Sequence, residues 1–94
     1  RRFQQRMRIL CVDLMQSLPL LDGRRRQETL GKIRETTHQI GGSAGAFGFD
    51  EVSSLALGAE ELAKDAMASP DGDTAQLADA VRRLCVEVAG LRGQ

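Results

Sequence analysis

Apolar residues recur along this chain at alternating intervals of three and four, the spacing that keeps side chains on one face of an α-helix. The first run contains Phe3, Met7, Leu10, Leu14 and Leu18, and Pro19 with Asp22-Gly23 closes it. A second stretch, about Arg24 to Phe47, places Leu30, Ile33, Thr37, Ile40, Ala44 and Phe47 on one seam, and Gly48 ends it. Asp50 is positioned to cap a third helix with Val52, Leu55, Ala59, Leu62 and Ala66 inward. Ser69-Pro70-Asp71-Gly72 reads as a turn, Asp73 or Thr74 as the next cap, and Leu77, Val81, Leu84, Val88 and Leu91 as a fourth stripe. Four amphipathic helices with short connections pack most simply as an all-α, antiparallel up-down-up-down four-helix bundle.

Composition narrows the picture. The 94 residues are read as one domain, 1–94, large enough for one core and too small to hold a nucleotide-binding kinase domain as well. There is no Trp or Tyr, and the chain favours good helix formers such as Ala, Leu, Arg, Glu and Gln. It does not begin with Met, so it is expected to be a segment of something longer.

Net charge is zero but unevenly spread. Residues 1–34 hold nine Arg or Lys against three acids, and residues 35–94 hold four against ten. Antiparallel helices can compensate such halves internally, whereas nucleic-acid binding needs a basic face without matching acids. Arg24-Arg25-Arg26 is the one basic run, so no nucleic-acid partner is expected. No apolar stretch reaches the length of a membrane span and no signal peptide is visible, which points to a cytoplasmic protein. Cys11 and Cys85 lie far apart within amphipathic runs, without a CxxC pair or metal-ligand spacing. They read as reduced, buried thiols, and no metal site is expected.

The single histidine, His38, does not follow the seam. At 100° per residue the seam from Leu30 to Phe47 centres roughly 130° away from His38, which places the imidazole on a solvent-facing flank of the second helix. Gly31, Gly41, Gly42 and Gly45 lie one or two turns from it. Four helix-interior glycines cost roughly 3–4 kcal/mol relative to alanine, a large share of the roughly 5–15 kcal/mol that stabilises a typical domain. A partner approaching the helix closely around His38 would account for that cost. The alternative, a Gly-rich loop interrupting the helix, conflicts with Ile40, Ala44 and Phe47 keeping phase through it. A phosphate-cradling loop fits neither GxxxxGK[ST] nor GxGxxG.

The run His38-Gln39-Ile40-Gly41-Gly42-Ser43-Ala44-Gly45-Ala46-Phe47-Gly48 resembles the phosphoacceptor motif of histidine-containing phosphotransfer domains, H-x-[LI]-K-G-[SAG]-[AS]-x-x-x-G. Residues 44–49 are particularly similar to the phosphoacceptor domain of chemotaxis-type histidine kinases. The resemblance implies a two-component phosphorelay in which His38 accepts and donates a phosphoryl group. Glu60 would orient the imidazole, and Lys64 would stabilise the phosphoryl group. Gly41, Gly42, Gly45 and Arg34 would form the docking face. The partners implied are a response-regulator receiver domain, a histidine kinase, or both. The domain itself would carry no cofactor or ATP site and would act as a monomeric intermediate, with Mg2+ on the receiver. One departure stands out: Gly41 occupies the motif's Lys position, so Lys64 or Arg34 is the expected replacement cation.

Two other readings stay open. One is a phosphotransfer-like module that binds a receiver without carrying phosphate, which the missing Lys at Gly41 favours. The other is a purely structural helical bundle, which gives no reason for an exposed histidine among glycines. A kinase dimerisation helix is disfavoured because nothing after His38 resembles H-E-[LI]-[RK]-T-P.

Overall fold

In the computed structural model, which describes residues 2–91, each apolar stripe becomes a helix. The helices are α1 (Arg2–Ser17), α2 (Arg26–Ala46), α3 (Asp50–Ala68) and α4 (Ala75–Ala89). A short 3-10 turn, Leu18–Asp22, follows α1, with Pro19 at its start where a missing backbone N–H removes no helical bond. Among the described residues there is no strand, and no helix is long and apolar enough to cross a membrane.

Contacts between the ends show how the rods run. Phe3, at the start of α1, stacks on Phe49 between α2 and α3 with ring centroids 4.8 Å apart, and lies 4.9 Å from the Phe47 ring. Arg26, at the start of α2, donates from Nη2 to the carbonyls of Ser69 and Gly72 in the turn after α3, at 3.1 and 3.0 Å. Arg8 donates to the Leu91 carbonyl just past α4. Each helix therefore runs antiparallel to its chain neighbours, and α4 returns along α1 to close a four-sided bundle 41 × 19 × 17 Å in extent.

The core draws mainly on the predicted stripes, joined by Cys11, Leu21, Ala56 and Ala63. Met7, Leu14, Leu30, Ile33, Ile40, Val52, Leu77, Val81, Leu84 and Val88 are essentially inaccessible. Burying a side chain of this size contributes about 1.5–3 kcal/mol. Between α2 and α3 the buried set is smaller, with Ala44, Ala56, Ala59 and Ala63 contributing, so these two helices lie close along their length. That close pair carries the site.

The Gly-rich stretch is helical throughout, with Ile40 and Ala44 buried on either side of Gly41-Gly42. The helix ends in a hydrogen-bonded cap. Gly48 has φ +83°, its N–H donates to the Gly45 carbonyl, and the Phe49 N–H donates to the Ala44 carbonyl at 2.8 Å. This is the arrangement in which glycine follows the C-terminal residue and satisfies its last carbonyls.

Several sequence expectations are corrected at the helix ends. Leu18 belongs to the 3-10 turn, and α2 starts at Arg26 rather than Arg24. Phe47 is 68 % exposed instead of on the seam, because the helix ends at Ala46 and the chain turns away at Phe47. Asp50 is the first helical residue, not the cap, and no side chain caps α3 there, because the turn at Gly48 puts Phe49 in the cap position. At α4 the cap position is Thr74, which makes no side-chain cap hydrogen bond, and the Asp73 carboxylate before it accepts the Ala75 N–H at 2.9 Å. The thiol reading is also adjusted: Cys11 is buried, Cys85 only half-buried, and both are free.

Candidate functional site

α2 and α3 form a helical hairpin about Phe49, and residues equidistant from it face each other. Gly45 meets Ser53, each four positions from Phe49; Gly41 meets Leu57, each eight away. Eleven positions on either side are His38 and Glu60, whose side chains also meet. The same register puts Arg34 and Lys64 in the next layer, each fifteen positions from Phe49. The tight, capped turn at Gly48 sets this pairing.

His38 projects outward, its side chain 72 % exposed. Its Nδ1 lies 3.2 Å from Oε1 and 3.1 Å from Oε2 of Glu60. A carboxylate has only acceptors, so the contact requires the hydrogen on Nδ1, and in the neutral ring the lone pair then belongs to Nε2. Glu60 is held at the other end: its side chain is only 11 % exposed and it belongs to the buried face of α3. A short-tethered, buried carboxylate under an exposed ring fixes the ring's rotation while leaving its far nitrogen in water.

Lys64 follows Glu60 by one turn of α3. Its Nζ is 3.9 Å from Glu60 Oε2 and 3.4 Å from Glu61 Oε1, and the side chain is partly exposed. It therefore stands beside the carboxylate that holds His38, with its own charge partly engaged. Arg34 is exposed one turn before His38 on α2 and makes no ion pair among the described residues. Thr37, adjacent to His38 but pointing inward, is fully buried and donates from Oγ1 to the Ile33 carbonyl at 2.8 Å.

The glycines separate into two groups. Gly42, one turn after His38, is exposed, and a Cβ there would meet nothing within 4 Å. Gly45 is also exposed, although a Cβ would lie 3.2 Å from Ser53 Oγ. Gly41 is different and corrects the sequence reading of a docking residue. It is buried, and a Cβ on it would stand 2.8 Å from Leu57 Cδ2 and 3.0 Å from Leu57 Cγ. Its carbonyl also accepts a hydrogen bond from Ser53 Oγ at 2.9 Å. The absence of a side chain at Gly41 serves contact between helices, not approach by a visitor.

Leu57 and Ser53 are the site residues that motif reading misses. Leu57 lies one turn before Glu60, 46 % exposed, over the position from which a side chain at residue 41 would emerge. The hairpin register alone would have paired both with α2. Among the described residues no group of three or more His, Cys, Asp or Glu side chains could hold a metal ion.

The arrangement offers one nucleophilic nitrogen in solvent, a carboxylate behind it, bare backbone beside it and two cations one turn away. A sequence model of the Hpt domain family matches residues 1–90 of the chain. Searches among curated proteins and among solved structures found no match.

Proposed function

The chain belongs to the Hpt domain family, whose members pass phosphoryl groups along two-component relays without an ATP site of their own, and from that premise we propose that His38 is the residue that carries the group. The observation behind this reading is the exposed imidazole whose Nδ1 is held by both oxygens of Glu60.

A neutral imidazole with its lone pair on Nε2 attacks phosphorus without first losing a proton. The Nε2–P bond forms as the bond from phosphorus to the donor oxygen breaks, and the ring becomes a phosphoimidazolium with its hydrogen still on Nδ1. Positive charge thus develops on the ring during the step, next to the Glu60 carboxylate. An interaction that strengthens as the transition state forms accelerates the reaction rather than merely the binding. The transition state of phosphoryl transfer is loose, so alignment of the nucleophile matters as much as its basicity. Glu60 contributes the alignment.

The donor and acceptor in this reading are aspartates of receiver domains, or a kinase, with Mg2+ and the remaining catalytic groups on the partner. Gly42 and Gly45 leave the α2 backbone open for the partner's approach. Lys64 and Arg34 flank the phosphoryl position and take the place of the motif's Lys, which is Gly41 in this chain. That substitution favours a second reading, a module that binds a receiver without being phosphorylated.

Incubating the domain with a phosphorylated receiver or a small phosphoramidate donor separates the two. A base-stable, acid-labile phosphoryl group on the wild type, absent from His38→Gln, supports the carrier. Receiver binding without any transfer supports the binding module.

A further inference from the structure

Away from the His38 face, α1 and α4 are separated by an apolar groove of about 420 Å³, lined by Arg8, Val12, Met15 and Val88 together with Cys11 and Cys85. The two cysteines are 74 positions apart in sequence, yet Cys85 Sγ lies 3.6 Å from the Cys11 carbonyl oxygen, and both residues line the same groove. Cys11 is buried against the core while Cys85 is half-buried on the groove wall. Nothing in the phosphotransfer reading uses either residue.

We propose that Cys11 and Cys85 form a dithiol modification site at which a hydroperoxide closes a disulfide between α1 and α4. The thiols' environments divide the roles. The neighbouring Cys11 thiol holds Cys85 below the usual thiol range, although burial opposes this. The same contact, reinforced by burial, pushes Cys11 up. Neutral Cys85 donates to the Cys11 carbonyl and gives up that bond on ionising. Cys85, the more accessible of the pair, is the attacking sulfur, and the buried Cys11 is the resolving one.

With hydrogen peroxide, the Cys85 thiolate attacks the peroxide O–O bond. An S–O bond forms, the O–O bond breaks and hydroxide leaves, taking up the proton that Cys85 had released to give water. The Cys11 sulfur then attacks Cys85. The S–S bond forms, the S–O bond breaks, and the hydroxyl departs with the Cys11 proton as a second water. The dithiol is oxidised by two electrons and the peroxide is reduced to two waters. The groove admits a small uncharged oxidant, while its apolar lining disfavours a bulky charged thiol that would compete for the sulfenic acid.

The test is peroxide titration of the reduced wild-type domain, read by intact mass, by thiol count after denaturation and by a non-reducing gel. The proposal requires loss of two hydrogens in mass, loss of both thiols, a monomeric band, a peptide linking residues 11 and 85, and reversal by dithiothreitol. It also requires a higher thermal midpoint after oxidation, because a crosslink spanning most of the chain restricts the unfolded state. Cys11→Ser should stop at a dimedone-reactive sulfenic acid on Cys85. Over-oxidation of Cys85 to sulfinic acid in the wild type without a crosslink would overturn the proposal. So would disulfide-linked dimers, or both thiols surviving peroxide that fully oxidises free cysteine.

Discussion

A methyl group on Gly41 would sit 2.8 Å from Leu57 Cδ2, while one on Gly42, the next residue, would touch nothing within 4 Å. The two glycines look equivalent in sequence and have opposite surroundings. Gly42→Ala should stabilise the domain by up to about 1 kcal/mol through helix propensity alone. Gly41→Ala should fall short of that gain by the cost of displacing Leu57, and the difference should largely vanish in a Leu57→Ala background. Urea denaturation of the four variants checks this; equal effects of the two alanines with Leu57 present would contradict the packing described.

Gly41→Lys, which restores the residue of the phosphoacceptor motif, meets the same obstacle. Overpacking of this kind costs about 1–3 kcal/mol where neighbours are fixed; Leu57 is half-exposed, so its side chain can shift and the lower end of that range is expected. Combining Gly41→Lys with Leu57→Ala should recover most of the loss, as a double-mutant cycle would show.

At Gly42 a bulky side chain tests the docking face instead of the fold. Gly42→Leu should keep the helical spectrum and, like Gly42→Ala, raise stability by up to about 1 kcal/mol, because Leu is nearly as good a helix former as Ala and the position is open. Its transfer rate with a receiver should fall by at least an order of magnitude, while phosphorylation by a small phosphoramidate stays near normal. An unchanged receiver rate would move the docking face elsewhere.

Glu60→Ala removes the carboxylate that holds His38 Nδ1. A hydrogen bond to a charged group contributes about 1.5–3 kcal/mol, so a transfer rate lower by about ten-fold or more is expected if that bond strengthens in the transition state. Glu60→Gln keeps an acceptor near Nδ1 but not the charge, and should fall between the two. Single-turnover rates at saturating phosphodonor check the order wild type, Gln, Ala; equal rates for all three would remove Glu60 from the mechanism.

Gly48→Ala should cost about 1 kcal/mol, since a residue with a Cβ resists the left-handed backbone that Gly48 adopts at φ +83°. Because this turn sets the α2–α3 register, the His38–Glu60 pair should also become less uniform. Thermal unfolding and the line widths of the His38 ring protons report the two effects separately.

Much of this architecture is written in the spacing of apolar residues. The stripes of α1 and α4 name buried or half-buried positions because each of those helices shows mainly one side to the core. α3 packs against both α2 and α4, and its buried face is wider than the stripe from Val52 to Ala66, so Ala56, Glu60 and Ala63 are buried as well. Phe47 keeps the period but not the burial, since the helix ends before it, and no periodicity reveals a terminus that backbone dihedrals decide. Exposure of His38 follows from helical phase.

Phase also separates the glycines: Gly41 lies roughly 70° from the seam centre and Gly42 roughly 170°. Counting glycines as one patch hides that difference. Pairing of His38 with Glu60 requires the hairpin register, which becomes calculable once Gly48 is recognised as the turn. The sign and size of the Leu57 contact are matters of side-chain packing and need coordinates.

The nitrogen that bears the phosphoryl group tests the central claim most directly. Heteronuclear NMR of the freshly phosphorylated, ring-labelled domain should show one phosphohistidine, on Nε2 of His38, with the Nδ1 hydrogen retained against Glu60. Phosphorylation on Nδ1, on any other residue, or nowhere under conditions where a receiver is bound would contradict the account.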